Sequence, residues 1–223
     1  MSGEPTRAVQ DYLKTIHRLG GAEGVVSPND IADKLSVRAP SVTGMLKRLS
    51  DAGWISYEPG RGARLTNKGV TAARRVIRRH RLVELFLTRV LGLDWSEVDA
   101  EAEALEHAIS PRLEQALARY LGEPAEDPHG HLIPTQDGTM GHRVLERLCD
   151  LRAGQRAVIR EAQDDDPGRL RRWQELGLTP GAIVRVISHL PLDNLFELEL
   201  SSTRIKLGPE ALAGLRVEIL DRA

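Results

Sequence analysis

The chain has 223 residues, of which 41% are hydrophobic and 28% charged, and its formal net charge is -1. That composition supports a buried core and leaves room for two domains with a smaller third. The apolar runs fall well short of the ~20 residues that span a bilayer, which excludes a helical membrane protein.

Cys149 is the single cysteine; it rules out an internal disulfide framework, suits a reducing cytoplasm and reads as a small packed residue. The opening Met1-Ser2-Gly3-Glu4-Pro5-Thr6 has no apolar stretch, so no signal peptide is expected. The balanced total hides an asymmetry. Residues 1–79 carry 14 Lys and Arg against 7 Asp and Glu, residues 80–140 carry 4 against 12, and residues 141–223 carry 13 against 13. A basic module joined to an acidic one suggests a polyanion partner for the first and cations for the second.

Val9, Tyr12, Leu13, Ile16 and Leu19 recur at three- and four-residue spacing and predict a helix over 6–19, ended by Gly20, Gly21 and Gly24. Ser27 can cap a second helix with Pro28 at its first position and Ile31, Ala32 and Leu35 on its inner face. After a turn through Ser36, Val37 and Arg38, Pro40 opens a third helix with the stripe Val42, Met45, Leu46 and Leu49. Two short helices joined by a tight turn, the second bearing Ser41, Thr43, Lys47 and Arg48, predict a helix-turn-helix. Trp54–Tyr57 and Ala63–Thr66 then flank Glu58-Pro59-Gly60-Arg61-Gly62, a hairpin with an arginine at its tip. Helix-turn-helix plus hairpin is a winged helix. Its basic charge favours double-stranded DNA over the blander reading as a small α/β module.

Asn67 can cap a long helix running to about Leu91, with Arg74, Arg75, Arg78, Arg79 and Arg81 as a basic flank that either touches phosphate or is solvated. Beyond the break at Gly92-Leu93-Asp94, a helix is expected over roughly 95–109. It places Asp99, Glu103, Glu106 and His107 at i, i+4, i+7 and i+8, on one face. Upstream, His80 and Glu84 form another His/Glu pair at i, i+4. Crowded carboxylates repel, so arginines or a divalent cation must offset them. One imidazole among several oxygens suits Mn²⁺, Fe²⁺ or Zn²⁺ better than a soft ion. A solvated acidic face has the same spacing and stays open at this point.

Ser110-Pro111 begins a helix to Leu121, and residues 122–142 form a connector broken by prolines and glycines. His129 and His131 lie in that connector and read more readily as solvated than as ligands. Gln155–Arg160, Ala182–Ser188, Leu195–Leu200, Thr203–Leu207 and Leu215–Leu220 read as strands, with a helix over Pro167–Leu176. So many short strands in under 80 residues suggest a small SH3-like barrel.

This order of elements, with His80-Arg81-Leu82-Val83-Glu84-Leu85-Phe86-Leu87, Glu106-His107 and Asp127-Pro128-His129-Gly130-His131-Leu132-Ile133-Pro134, resembles the diphtheria toxin repressor family of bacterial metal-dependent transcription regulators, across essentially the whole chain. The resemblance implies a mainly α chain with small β parts. It comprises a winged-helix DNA-binding domain (1–72), a helical metal-binding and dimerisation domain (73–122), a linker (123–150) and an SH3-like, FeoA-type domain (151–223). It implies a cytoplasmic homodimeric repressor of metal-uptake genes, not an enzyme, acting on a near-palindromic operator. Mn²⁺, or alternatively Fe²⁺, would be corepressor, with one or two ions per subunit.

By the same resemblance one metal site would use Asp11, Glu103, Glu106 and His107, and another His80, Glu84, Asp99 and, from the barrel, Asp166. Asp11 and Glu103 stand where iron-type members have methionine and cysteine, as in the manganese branch. Lys14 stands where the minimal manganese regulators have a second carboxylate, which argues against a closely bridged metal pair. DNA contacts would come from Ser27, Arg38, Ala39, Pro40, Ser41, Thr43, Lys47, Arg48 and Arg61, while Gly44 replaces the family's glutamine and removes any transfer of base specificity. Without metal, the carboxylates are expected to repel and the first helix to pack loosely. Leu105, Ile109, Leu113 and Leu117 read equally as dimer interface or as core. A di-metal oxidase is set aside because only one acidic helix is present. A winged-helix regulator of an organic ligand remains the rival outside the metal sensors.

Overall fold

The computed structural model describes residues 5–163, 166–190, 192–201 and 203–220. Its contacts gather into two units, the first formed by residues up to 80, 105–114 and 133–140, the second by 81–104, 115–132 and 141 onward. Among the described residues no helix is long and apolar enough to cross a membrane.

The first unit starts with α1 (Arg7–Arg18), α2 (Pro28–Leu35), α3 (Ala39–Asp51), β1 (Ile55–Glu58) and β2 (Gly62–Leu65). The apolar stripes bury as their spacing requires: Leu13 and Ile16 of α1, Ile31 of α2, and Val42, Leu46 and Leu49 of α3 share one core with Ile55, Ala63 and Leu65. Ser27 caps α2 by accepting the Asp30 N–H, and Ser36 ends it in the left-handed region. The strands pair antiparallel from Ile55↔Leu65 to Glu58↔Gly62. Val26 bridges Ala63 beside them, and Gly62, at φ +121°, is required there because a Cβ would stand 2.4 Å from the Val26 carbonyl oxygen. This is the winged helix expected from the sequence.

The helix α4 (Asn67–Arg89) is continuous over 23 residues. Its basic flank is neither solvated throughout nor left for phosphate. Arg78 and Arg79 are buried in the first unit. Arg78 donates to Glu114 and to the Pro134 carbonyl, Arg79 to Gln10 and Ile109, and Arg74 to the Gly138 carbonyl. Those arginines hold the 105–114 and 133–140 segments, whose backbone carbonyls lack ladder partners and need donors.

The acidic helix is shorter than its pattern: α5 covers Val98–Leu105, and Glu106–Ala108 form a turn closed by the Ala108 N–H on the Leu105 carbonyl. Asp94, not residue 95, sets its approach by accepting from the Ser96 amide and hydroxyl. Pro111 opens α6 (Pro111–Tyr120), and the residue before a proline disfavours helix, so α5 cannot run on.

The second unit is built on a six-stranded antiparallel sheet. Its strands are β3 (Glu146–Arg147), β4 (Arg156–Ala162), β5 (Ile183–Leu190), β6 (Leu195–Leu200), β7 (Thr203–Leu207) and β8 (Leu215–Ile219), in the order β3-β8-β4-β5-β6-β7. Alternation works as in any half-buried sheet: Phe196, Leu198 and Leu200 point inward along β6. They meet Ile159, Val184, Val186, Leu215, Val217 and Trp173 of α7 (Pro167–Glu175). The two-residue β3 and the single-turn α8 (Pro209–Leu212) are too short to leave a periodic signal.

Candidate metal centre and nucleic-acid face

Three residues of α1 (Asp11, Lys14 and Arg18) fall at i, i+3 and i+7 and so share a face. Each reaches the Glu106 turn or His80 within the first unit. Lys14 Nζ donates to Glu106 Oε1 at 2.6 Å, with side chains only 3% and 0% exposed. His80 Nδ1 lies 2.7 Å from Glu106 Oε2 and His80 Nε2 lies 3.2 Å from Arg18 Nη2. Arginine can only donate, so His80 Nε2 accepts and Nδ1–H donates to Glu106. Burial by itself would raise the Glu106 pKa; the His80 hydrogen bond and the Lys14 charge outweigh it and hold the carboxyl below its ordinary value. Removing one partner of such a buried pair costs roughly 3–5 kcal/mol, because the other charge is left uncompensated.

His107 supplies the sharpest chemical constraint. Gln10 donates through Nε2 to the Pro5 carbonyl, and its Oε1 accepts from Arg79 at 3.3 Å. That same oxygen lies 2.8 Å from His107 Nδ1, so Nδ1 carries a proton. The other ring nitrogen, Nε2, faces Asp11 Oδ1, 2.8 Å away, and Glu106 Oε1, 3.3 Å away. Two carboxylates crowded this closely on an imidazole nitrogen need a positive charge among them, from a ring proton or from a bound cation. Asp11, Glu106 and His107 offer ligand atoms all within 4.8 Å of one another, and their oxygen-and-imidazole donor set fits a first-row divalent ion.

The second unit holds a related arrangement. His129 is 5% exposed, and its Nε2 lies 2.9 Å from the Trp95 carbonyl, which can only accept. Nε2 therefore carries a proton, and Nδ1 faces Glu84 Oε1 at 3.5 Å. Glu84 is buried, and its carboxylate and that of Asp99 offer oxygens within 4.8 Å of each other. Asp127 and His131 join His129 in a group of the same dimension, but Asp127 is already engaged. Its Oδ1 accepts from the His129 and His131 amides, and its Oδ2 faces Arg81 at 3.3 Å and His131 Nδ1 at 3.2 Å. Burial would raise the Asp127 pKa; the charge and hydrogen bond of His131, with Arg81, outweigh it and depress it strongly. Asp127 thus shapes the loop that presents His129. Trp95 stacks on the His129 ring, centroids 5.2 Å apart.

The candidate ligands of the sequence reading divide accordingly. Asp11, Glu106 and His107 come together. Glu84 and Asp99 come together, and His80 stands one turn before Glu84 on α4 while hydrogen-bonding Glu106. Glu103 is half-buried on α5. Asp166 is engaged otherwise: it is the N-cap of α7, accepting the Gly168 N–H at 2.9 Å, and it belongs to none of the ligand groups among the described residues. His129, read as a solvated loop residue, is a buried one. Lys14 and Arg18 of α1 bond Glu106 and His80.

On the other side of α3 from the core, Arg38, Ala39, Pro40, Ser41, Gly44, Lys47 and Arg48 are exposed. Thr43 is half-buried and its hydroxyl donates to the Ala39 carbonyl. Arg61 projects from the hairpin with its side chain 81% exposed beside Glu58. The Ser27 hydroxyl is occupied as a cap. The result is one basic helix face flanked by a basic hairpin tip.

Comparison with known proteins gives three consecutive matches. Residues 5–63 match the N-terminal DNA-binding domain of iron-dependent repressors, residues 66–135 their metal-binding and dimerisation domain, and residues 146–219 the FeoA domain. The iron-dependent repressor IdeR of Mycobacterium leprae is 32% identical over 220 residues, covering 93% of this chain and 95% of its own. The HTH-type transcriptional regulator MntR of Lysinibacillus sphaericus is 38% identical over 124 residues, covering 56% of this chain and 88% of its own. A manganese-dependent transcriptional repressor solved in complex with manganese has a TM-score of 0.88 at 32% identity, covering 95% of this chain and 100% of that one. Taken with the winged helix and the paired ligand groups, these matches show that the chain belongs to the iron-dependent repressor family, that of the diphtheria toxin repressor, and is a metal-dependent, DNA-binding transcriptional repressor and not an enzyme.

Proposed function

We propose that this chain is a Mn²⁺-activated, homodimeric cytoplasmic repressor of metal-uptake genes that binds a near-palindromic operator. The observation that carries the reading is the convergence of His107 Nε2 with Asp11 and Glu106 oxygens, a donor set that fits a divalent cation. A bound divalent ion would supply positive charge there. Glu84, Asp99 and His129 would hold a second ion. The donors are oxygens and imidazole with no thiolate, which suits Mn²⁺, and the relative solved with manganese favours the same ion.

The chain's own contribution is positional. Asp11 lies on α1, which packs in one core with α3, the helix bearing Arg38, Ser41, Lys47 and Arg48. Fixing Asp11 against Glu106 and His107 therefore fixes the DNA-reading helix. Differential affinity for that arrangement is what a corepressor needs. Leu105 and Leu113 are 44% and 48% exposed and offer apolar surface to a second copy, whereas Ile109 is buried core. Two winged helices so joined read half-sites one helical turn apart. The division at 1–72, 73–122, 123–150 and 151–223 is kept as the functional one.

An Fe²⁺-responsive regulator is the second reading, because raw affinity at such donors favours Fe²⁺ over Mn²⁺. Fluorescence anisotropy of a labelled fragment from the gene's own upstream region, at matched free Mn²⁺ and anaerobic Fe²⁺, decides between them. Tighter binding with Mn²⁺ is expected. Tighter binding with Fe²⁺ assigns the chain to iron, and binding indifferent to both rejects a metal corepressor.

A further inference from the structure

We propose that Gln10 is a positioning residue of the metal centre: its side-chain amide holds the His107 ring with Nε2, and not Nδ1, toward a divalent ion, and so sets how tightly the Asp11–Glu106–His107 group binds that ion. The inference rests on the metal reading of that group given above. An imidazole ligates through either nitrogen, and the hydrogen bond made by one decides which is left for the metal. Gln10 is the residue before Asp11 on α1 and is 6% exposed. Its amide has a single favourable orientation. Nε2 lies 2.8 Å from the Pro5 carbonyl, which can only accept, and Oε1 lies 3.3 Å from Arg79 Nη2, which can only donate. Turning the amide over would set oxygen against oxygen at Pro5 and an NH2 group against the guanidinium. The oxygen is therefore fixed. Arg79 takes one of its lone pairs, and the other meets His107 Nδ1 at 2.8 Å. Arg79 also donates to the carbonyl of Ile109, two residues beyond His107, so one guanidinium steadies both the amide and the segment that carries the ring.

The histidines of the two proposed ligand groups differ in what orients them. His129 is held by the Trp95 carbonyl, a backbone group that an exchange of the Trp95 side chain leaves in place. His107 is held by a side chain, so one substitution at Gln10 changes the partner of its ring. A methionine of similar length leaves the Nδ1–H without an acceptor and frees the ring to turn. Such outer partners of a ligating histidine are worth about ten- to a hundredfold in metal affinity. A glutamate keeps an acceptor for the Nδ1–H, has Arg79 beside it as counter-charge, and makes the ring a stronger donor to the ion.

The test is a Mn²⁺ titration of the full chain by equilibrium dialysis, comparing wild type with Gln10→Met, Gln10→Glu and Asp11→Ala. It is joined to long-range proton–nitrogen NMR of the zinc-loaded wild-type chain carrying isotope-labelled histidine. The ion that Asp11→Ala loses should bind about tenfold or more weakly in Gln10→Met, and at least as tightly as wild type in Gln10→Glu. The NMR needs no variant at Gln10 to fold. It should show His107 protonated on Nδ1 and zinc-bound through Nε2, its signals assigned by their loss in His107→Gln. Unchanged affinity in Gln10→Met, an equal loss in Gln10→Met and Gln10→Glu, or zinc on Nδ1 would each overturn the proposal. If Asp11→Ala loses no ion, the metal reading of the group fails, whatever Gln10 does.

Discussion

His107 Nε2 and Asp11 Oδ1 lie 2.8 Å apart, the first in the turn after α5 and the second on α1, with the imidazole proton held on the opposite nitrogen by Gln10. A ring nitrogen and a carboxylate oxygen this close mark where a cation fits. Asp11→Ala should leave the metal-free fold intact, because the buried apolar core of the first unit is built from other residues of α1, Leu13 and Ile16 among them. It should, however, reduce the rise in melting temperature on adding Mn²⁺. An ion at a hundred times its dissociation constant stabilises by about 2.7 kcal/mol. Differential scanning fluorimetry with chelator and with Mn²⁺ reads the difference between wild type and variant directly.

The second ligand group makes an independent prediction. His129 is held by the Trp95 carbonyl on one nitrogen and faces Glu84 with the other. His129→Ala should lower the Mn²⁺ count by one per chain without changing the loss caused by Asp11→Ala, so the double variant loses both. Equilibrium dialysis measures this; a double variant that loses only one ion shows that the two groups serve one site.

Gly130 offers a stability test of the loop that presents His129. It sits at φ +86°, and a Cβ there would stand 1.8 Å from the Arg160 carbonyl oxygen of β4. The neighbouring His129 carbonyl accepts the Ala162 N–H. Gly130→Ala should therefore destabilise the second unit by about 2 kcal/mol or more, since neither the backbone angle nor the space admits a methyl group. Urea unfolding followed by tryptophan fluorescence checks it, and an unchanged midpoint contradicts the close approach.

The exposed face of α3 predicts a salt effect. Lys47→Ala and Arg38→Ala should weaken operator binding at every sequence and lower the slope of log affinity against log salt by about 1 for each phosphate contact removed. Mn²⁺ affinity should be unchanged in both. A variant that alters discrimination between operators but leaves the salt slope alone would place that side chain on a base edge instead.

Which of these features the sequence disclosed follows from how each is encoded. The helices α1 to α3 and the hairpin announce themselves because amphipathic periodicity, the Ser27 cap and the glycine turn are local signals. The ligand types at Asp11, Glu106 and His107 were legible with the family resemblance. The surroundings were not. Arg78 and Arg79 look like a solvated basic flank because pattern reading assigns arginine to the surface, yet backbone carbonyls of distant segments draw them inside. His129 looks like a loop residue because nothing local records that Trp95 and Glu84 enclose it. Asp166 enters the ligand set through the resemblance, and its cap on α7 could not be read because it depends on where that helix begins. Lys14 is read from sequence only as a missing carboxylate. Its burial against Glu106 joins segments far apart in the chain.

The most direct test of the account is operator affinity of the full chain in chelator, after restoring Mn²⁺, and again in chelator, measured in parallel for wild type and Asp11→Ala. The account predicts tight binding by wild type only while Mn²⁺ is present, reversible on its removal, and weak binding by Asp11→Ala throughout. Tight binding by wild type in chelator, or a full Mn²⁺ response in Asp11→Ala, would contradict the claim that metal acts by fixing α1 against Glu106 and His107.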